Sequence, residues 1–514
     1  MKIKYFLIIL KKFQKIILLM MNTSYNFNIS EPDENVPEEK KEPQIANENI
    51  STVNKAVVEI SSSQKYKVES FKSFHNSKNI FIKIISKNFS SGSLTSSIFN
   101  LCILSLGTGS LALPQKIGYM SLFFSPIIII LSGLVNYWTL NILSNASKKY
   151  NLNSYEAIVQ KLFGNLLSIF LGVIMCITQF GTIILYQVIL YKLLGGVINE
   201  IFNLGFTGVE DFALNSFWNE FKIKFIICYL ISILILTPLC LLKNISKMRY
   251  ASMFGIISLF FLIFIIVLEC PFYIYYNFFE KNKNKKIKLN YFDVLSGFKD
   301  DIKILQAIST LFYAFSCHVG VFPVLNTLKN PTQKRIQLLF KKSISLDIIC
   351  YLIIGISGYL TQPENTPDLI IERKKIFDND FLMIIGQICF IFTLIAKICA
   401  NYNALRICII NLFNKNKSKN QISNKINLIL TTCCLIITTL ISIIFQSISS
   451  YISLIGGFCS VIISILIPGF IYIKGIQELK INNKTIFAGI IIIILTLIGF
   501  TNGILTIKNV VNRK

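Results

Sequence analysis

Long apolar runs alternate with short charged segments along most of this chain, beginning at about Leu94. A helix rises about 1.5 Å per residue, so about 20 consecutive apolar residues cross the hydrocarbon core of a bilayer. The pattern therefore predicts an all-α integral membrane protein with about 11 transmembrane helices. These spans are expected at residues 94–113, 121–145, 166–194, 222–242, 249–274, 302–327, 343–362, 379–404, 425–446, 449–473 and 485–506.

The N-terminal residues lack this pattern. Within residues 1–21, lysines interrupt the apolar positions at helical spacing, which indicates an interfacial amphipathic helix rather than a signal peptide. Residues 22–90 are rich in Asn, Ser, Glu and Lys, a composition typical of disorder. The predicted regions are a cytosolic, largely disordered tail at 1–93, a transmembrane domain at 94–506 and a short C-terminal tail at 507–514.

Composition supports a membrane protein and predicts its orientation. Hydrophobic residues make up 53% of the chain, more than one soluble core could bury. The formal net charge is +25, but Lys and Arg gather in short segments such as 329–342 and 406–425. The positive-inside rule then places the N-terminal tail in the cytosol, with a basic loop at 281–303 as a conflicting feature. No basic soluble domain is available for nucleic-acid binding, which is not expected.

Cysteine and histidine usage argues against disulfides and metal sites. All 13 cysteines fall inside or at the edges of apolar runs. The chain has two histidines, His75 and His318, and neither a C-x-x-C nor an H-E-x-x-H motif. We therefore expect no metal, no cofactor and no enzymatic activity.

Two apolar runs contain residues that disfavour a continuous helix in lipid. The first span carries Gly-Thr-Gly at 107–109, and the sixth carries Ser-Cys-His from 316, followed by Gly320 and Pro323. Backbone can unwind at membrane depth only where protein or water satisfies it, although a close-packed glycine face would also explain the first segment. Two broken helices in corresponding halves indicate an inverted-repeat transporter. We expect breaks at 107–109 and 316–319 that face each other near mid-membrane.

The order and spacing of several motifs resemble the amino acid/auxin permease family of the amino acid–polyamine–organocation superfamily. The matching positions cover nearly all of residues 94–506 and are Ser97 to Leu101, Gly107 to Gly109, Leu113, Pro114, Ser154 to Glu156, Phe163, Gly164, Ser316 to His318, Phe322, Pro323, Gly355 to Leu360, Leu454 to Gly457, Pro468 and Tyr472. The Ile-, Asn- and Lys-rich character is similar to that of apicomplexan parasite members.

The resemblance implies a fold and an activity. Spans one to five and six to ten would form inverted repeats with discontinuous helices one and six, and an eleventh helix would follow. The activity implied is secondary active transport of an amino acid by alternating access, as a symport with a proton favoured over sodium. The expected location is the plasma membrane or a vacuolar or lysosome-like membrane.

The resemblance also implies which residues bind the substrate. Its carboxylate is expected at backbone N–H groups of the first break, and its ammonium at carbonyls of both breaks. The substrate-binding set is Leu106, Gly107, Thr108, Gly109, Ser110, Phe315, Ser316, Cys317 and His318. Gln179, Thr182 and Tyr186 are expected either to line the site or to form helix–helix hydrogen bonds. A bulky residue at Gly107 or Gly109 is expected to abolish transport and leave folding intact.

Span eight departs from the family pattern, because Lys397 stands where many members carry a hydroxyl residue that helps bind sodium. Thr393, Lys397 and Asn401 are four residues apart and form one polar stripe on an apolar helix. Lys397 is expected to replace sodium beside the carbonyls of Ile103 and Leu106, unless it snorkels to the interface. The predicted coupling set is Asn100, Ile103, Thr393, Lys397 and Asn401.

His318 is the histidine at membrane depth, and it admits two interpretations. In the functional interpretation, His318 lines the substrate site or senses protons. In the structural interpretation, its imidazole is hydrogen-bonded to a neighbouring group. Two other functions are the alternatives to transport. An amino acid sensor would keep the fold and signal through the N-terminal tail. A membrane-embedded acyltransferase using His318 as base would need a second catalytic group at the same depth and an acyl-carrier entry, and the sequence shows neither.

Overall fold

The structure is a computed structural model that describes residues 92–202, 232–241, 249–277, 301–373, 376, 381–413, 424–444, 452–477 and 483–512. The predictions for the N-terminal tail, including the interfacial helix at 1–21, lie outside these residues. So does nearly all of the basic loop at 281–303.

Helices account for nearly all of the described residues. They are α1 (Leu94–Ser105), α2 (Thr108–Met120), α3 (Phe124–Tyr150), α4 (Tyr155–Phe163), α5 (Asn165–Phe202), α6 (Thr237–Cys240), α7 (Arg249–Tyr275), α8 (Asp301–Ala314), α9 (His318–Leu325), α10 (Gln333–Thr361), α11 (Phe381–Phe413), α12 (Asn424–Ile444), α13 (Ile467–Phe470) and α14 (Asn483–Asn512). A π-helical turn precedes α6, further π-helical turns flank α13 within 452–476, and a 3₁₀ turn spans Ile370–Glu372.

The helices match the predicted spans. Among the described residues, 8 helices are long and apolar enough to cross a membrane, and the bent pair of α1 and α2 makes up to 9. The expected ninth span contains the shorter apolar helix Asn427–Ser442, and the C-terminal end of the expected fourth span is helical at 232–240. The predicted all-α membrane fold with about 11 helices is confirmed.

Both predicted helix breaks are present, and both are shorter than expected. The first covers residues 106 and 107, where α1 and α2 meet at a bend of 53°. Helix α2 already begins at Thr108, because Ser110 donates a backbone hydrogen bond of 3.0 Å to the Gly107 carbonyl. The second break covers residues 315–317 rather than 316–319, since the N–H of Gly320 bonds to the Cys317 carbonyl and starts α9 at His318.

Several predicted boundaries were wrong because helices extend beyond the apolar runs. Helix α10 begins at Gln333, inside the expected basic loop, and the Thr332 side chain caps it. Helix α11 continues to Phe413 and buries Arg406, which donates to Asn427 Oδ1 at 2.9 Å. Helix α14 extends to Asn512, past the expected end at 506. Hydropathy marks the lipid boundary, whereas capping and hydrogen bonding decide where a helix ends.

The broken first span lies at the centre of the helix packing. Helix α10 packs against both of its halves, α1 and α2, and also against α3 and α7. Helix α8 packs on α2, while α11 packs on α5 and α7 and touches α1. The breaks are therefore surrounded by protein, which is where non-helical backbone is tolerated at membrane depth.

A buried ion pair fixes the segment after α10 to α7. Arg373 donates to Glu269, and both residues are buried. The guanidinium also lies 4.1 Å from the centre of the Tyr273 ring. The neighbouring pair of Lys192 and Glu372, at 3.3 Å, is partly exposed. A buried pair is costly to break because the remaining charge has no compensation.

Replacement of Arg373 by Met is expected to destabilise the protein by about 3–5 kcal/mol, since Glu269 would stay buried and charged. The measurement is the midpoint of thermal unfolding of the purified protein in detergent. The matched control is Lys192→Met, which removes a partly exposed pair and should cost about 0–1 kcal/mol. Equal shifts of the unfolding midpoint in the two variants would show that the Glu269–Arg373 pair stabilises the protein no more than the partly exposed pair does.

Candidate substrate and coupling site

The two breaks face each other and share one side chain. The Tyr351 hydroxyl of α10 lies 3.0 Å from the Ser105 carbonyl, at the end of α1, and 2.6 Å from the Ala314 carbonyl, at the end of α8. The Tyr351 ring also packs edge-on against Phe315, with ring centres 4.8 Å apart. Carbonyls at the last turn of a helix have no partner within it. One buried hydroxyl, which has a single proton to donate, therefore lies within hydrogen-bonding distance of both helix ends and can bond to either of them.

Gly109 allows the halves to approach closely. A Cβ atom at this position would lie 2.8 Å from the Ala314 Cβ and 2.9 Å from its Cα. Contacts this short to backbone atoms are not tolerated, so only glycine fits between α2 and α8. The glycines of the first span thus serve close packing as well as the break.

A narrow polar cavity lies between the breaks. Its volume is about 20 Å³, which is room for about one water molecule. Four of the predicted site residues line it: Gly109, Ser316, Cys317 and Asn401. The three expected wall residues, Gln179, Thr182 and Tyr186, line it too. Because an amino acid is larger than one water molecule, its binding requires the walls to move apart.

The other predicted binding residues lie at the breaks but do not line this cavity. Leu106, Gly107, Thr108 and Ser110 are fully buried at the first break, and Phe315 is buried at the second. The Thr108 hydroxyl has no hydrogen-bond partner among the described residues. The Ser110 hydroxyl donates to the Gly107 carbonyl at 2.5 Å.

His318 does not face the cavity. Its side chain is fully buried, and Nε2 lies 2.9 Å from the Thr139 hydroxyl of α3. It is the first residue of α9 and is not among the residues that line the cavity, whereas Ser316 and Cys317 are. This placement favours the structural interpretation of His318 over substrate lining.

Lys397 points to the first break. Its side chain is 0% exposed, so it does not snorkel to the interface. A Cβ atom added to Gly107 would meet the end of this side chain, with Cε at 2.6 Å and Cδ at 3.0 Å. The amine lies 5.4 Å from the centre of the Tyr186 ring and has no hydrogen-bond partner among the described residues. A buried cation thus lies against the backbone where the first span is broken.

The other members of the predicted coupling set are buried, but they contact different neighbours. Thr393 donates to the Gly255 carbonyl of α7 at 2.7 Å, and Asn401 donates to the Lys397 carbonyl at 2.9 Å. Asn100 is buried, and its Oδ1 lacks a hydrogen-bond partner in the described part of the chain. Ile103 packs near Gly255. The polar stripe faces inward as predicted, although its hydroxyl is already bonded to α7.

Sequence reasoning missed Asp347, Tyr351, Tyr313 and Ser460. Tyr313 and Ser460 line the cavity. Asp347 is 1% exposed, and its Oδ2 accepts a hydrogen bond of 2.6 Å from the Ser105 hydroxyl. An acidic residue within an apolar span is a signal in itself, because such residues are costly in a membrane unless they have a role. The aromatic and hydroxyl residues carry no comparable signal.

Two broken helices with a polar cavity between them define a membrane transporter of the inverted-repeat class. The chain belongs to the family described as transmembrane amino acid transporter protein, which matches residues 90–511. It is therefore a transporter by family and not an enzyme.

Curated relatives share this description. Vacuolar amino acid transporter 5 of Schizosaccharomyces pombe is 25% identical over 388 residues, covering 73% of this chain and 83% of the relative. Vacuolar amino acid transporter 7 of Saccharomyces cerevisiae is 26% identical over 325 residues, covering 62% of this chain and 59% of that relative, which is less than two thirds of its length. The solved structure of MhsT in complex with L-phenylalanine is 14% identical with a TM-score of 0.48, and the match covers 80% of this chain and 97% of that chain.

Replacement of Gly107 by Leu is expected to abolish amino acid uptake while the protein still folds. The atoms nearest to a Cβ at this position belong to the flexible end of the Lys397 side chain, which can move. Gly109→Leu is expected to lower the folded yield as well, because its neighbour is the Ala314 backbone. For Gly109 this prediction differs from the sequence-based one, in which folding stays largely intact for both variants.

Uptake into vesicles and elution on size-exclusion chromatography measure the two effects separately. The matched control is Gly489→Leu, because a Cβ at Gly489 meets nothing within 4 Å. Normal uptake by folded Gly107→Leu protein would show that the first break is not part of the substrate site.

Proposed function

We propose that the protein is a secondary active transporter that moves amino acids by alternating access around the cavity between α1, α2, α8 and α9. The observation that carries this proposal is the placement of a polar cavity between two broken helices. Such gaps expose oriented backbone groups at membrane depth. A cavity of this small volume corresponds to a closed state of the transporter. The transport cycle must also include states in which the cavity is open.

Both ends of an amino acid have matching groups at the breaks. The N-terminus of α2, at Thr108, offers N–H groups and a positive dipole end to the carboxylate. The carbonyls at the C-terminus of α8 and in the 315–317 break suit the ammonium. The hydroxyl and amide side chains of the wall then contact the substrate side chain.

Lys397 is proposed to replace a coupling sodium ion. Its ammonium lies where the backbone of the first break bends, and an unpartnered ammonium there attracts nearby carbonyls. A lysine amine is a single point charge that can gain and lose a proton. Transport is therefore proposed to be coupled to protons and independent of sodium. The position of the Lys397 ammonium is proposed to be shaped by the other members of the predicted coupling set, which are Asn100, Ile103, Thr393 and Asn401.

The membrane is proposed to be that of a vacuole or a lysosome-like compartment, with the N-terminal tail in the cytosol. The names of two relatives, both called vacuolar amino acid transporters, support the compartment. Lys148 and Lys149, at the C-terminal end of α3, support the orientation. Proton coupling suits an acidic compartment.

The test is uptake of radiolabelled amino acids by purified protein in proteoliposomes, with and without imposed pH and sodium gradients. We expect accumulation driven by the pH gradient that does not change when choline replaces sodium. Lys397→Met is expected to keep exchange of labelled for unlabelled substrate and to lose the pH dependence. The control is Lys148→Met, which removes an exposed lysine.

Three outcomes would contradict parts of the proposal. A strict sodium requirement would exclude Lys397 as a substitute for sodium. Retention of the pH dependence by Lys397→Met would exclude it from coupling. Folded protein that binds amino acids and moves none of them would be a sensor rather than a transporter.

A further inference from the structure

Asp347 is a second buried charge at the first break. It lies on α10, and its Oδ2 accepts the hydrogen bond from Ser105, the last residue of α1. Its Oδ1 is buried without a hydrogen-bond partner in the described residues. A carboxylate has about four acceptor sites, so one oxygen remains available for a proton or a water molecule.

Lys397 approaches the same break from another span. It lies against Gly107, two residues after Ser105, and its amine also lacks a hydrogen-bond partner among the described residues. The structure places no direct ion pair between Lys397 and Asp347, and the backbone from Ser105 to Gly107 connects them. Two groups of opposite charge, each with a polar atom that lacks a partner among the described residues, thus meet the same stretch of backbone two residues apart.

The surroundings make this interaction specific. The titratable groups that face Asp347 are Cys102 of α1, Cys317 of the second break, Cys350 and Tyr351 of α10, and Lys397 of α11. Tyr186 of α5 faces Lys397. Helices α2, α3 and α7 also pack on α10, and none of their described charged side chains interacts with Asp347. Lys397 is the one cation in this group.

Ser105 connects Asp347 to the substrate cavity. It lines the cavity, it donates to Asp347, and its carbonyl lies 3.0 Å from the Tyr351 hydroxyl that also holds the end of α8. A change of charge on Asp347 therefore acts directly on the end of α1. Through Ser105 it also acts on the Tyr351 hydroxyl, which lies between the two breaks. Neutral carboxyl groups accept hydrogen bonds more weakly than carboxylates do.

We propose that Asp347 and Lys397 form one proton-binding unit, so that Asp347 is a second coupling residue beside Lys397. This inference rests on the proposed function. With one proton, the unit is either an ammonium and a carboxylate or an amine and a carboxylic acid, and both forms are neutral as a whole. The N–H bond of the ammonium breaks as the O–H bond of the acid forms, through an intervening water.

Release of the proton to water on one side of the membrane leaves an amine and a carboxylate. Uptake of a proton from water on the other side restores the neutral pair. A neutral pair is buried in the low-dielectric interior at smaller cost than a lone charge, which explains why a buried lysine is accompanied by a buried aspartate.

The test compares Asp347→Asn, Asp347→Glu and the native protein in proteoliposomes, by pH-gradient-driven accumulation and by exchange of labelled for unlabelled substrate. We expect Asp347→Asn to keep exchange and to accumulate no more substrate with the gradient than without it. Asp347→Glu should recover the dependence on the gradient. If Asp347→Asn still accumulates substrate in response to the gradient, the inference is wrong, and Lys397 alone binds the proton. If folded Asp347→Asn protein loses exchange as well, Asp347 serves substrate binding and the inference is also wrong.

Two further variants apply if Asp347→Asn folds poorly. Asp347→Asn combined with Lys397→Met leaves no buried charge unpaired, so it should unfold at a higher temperature than either single variant. Additive losses of stability would contradict the pairing. Ser105→Ala removes a hydrogen bond to the carboxylate and is expected to shift half-maximal uptake to higher pH, whereas an unchanged pH profile would overturn the inference. Absence of any flux in the native protein would instead refute the proposed function.

Discussion

Every polar group of the backbone must be satisfied within the protein at membrane depth, because lipid offers no hydrogen bonds. The two breaks in α1–α2 and α8–α9 are the places where the helical ladder cannot do this. The Tyr351 hydroxyl lies within hydrogen-bonding distance of the last carbonyls of α1 and α8. The packing of α10 against both halves of the first span follows from this requirement. The polar cavity lies where the same region must stay closed to lipid and still hold non-helical backbone.

The same constraint explains the charges that lie near the breaks. Lys397 and Asp347 would be costly in hydrocarbon, and each is accommodated where backbone or hydroxyl groups are within reach. Gly107 permits the approach of Lys397, since any side chain there would occupy the same space. The buried pair of Glu269 and Arg373 is a different case, because it joins two elements directly and leaves no open position between the charges. The two clusters therefore differ, because Glu269 and Arg373 form a direct ion pair whereas Asp347 and Lys397 do not.

Several site residues could be predicted because their types conflict with a lipid-facing helix. Glycines at 107 and 109, and polar residues at 316, 397 and 401, interrupt apolar runs, and each is buried or lines the cavity in the structure. Gln179, Thr182 and Tyr186 were expected to line the site or to bond between helices, and they line the cavity. His318 shows the limit of such reasoning, since its depth was evident but the direction of its ring toward Thr139 was not. Asp347 carried the same signal as Lys397 and could have been found from the sequence.

The sequence by itself determined the class of fold, the family, and the approximate positions of the spans and of both helix breaks. These depend on local properties, namely the length of apolar runs and the low helix propensity of glycine, which a single chain segment carries. The tertiary structure alone decided which polar groups meet. Ser105 and Asp347 are 242 residues apart in the chain, and Tyr351 reaches a carbonyl 246 residues away. Contacts of this kind depend on how helices pack and rotate against each other, and no periodicity along the chain records that rotation.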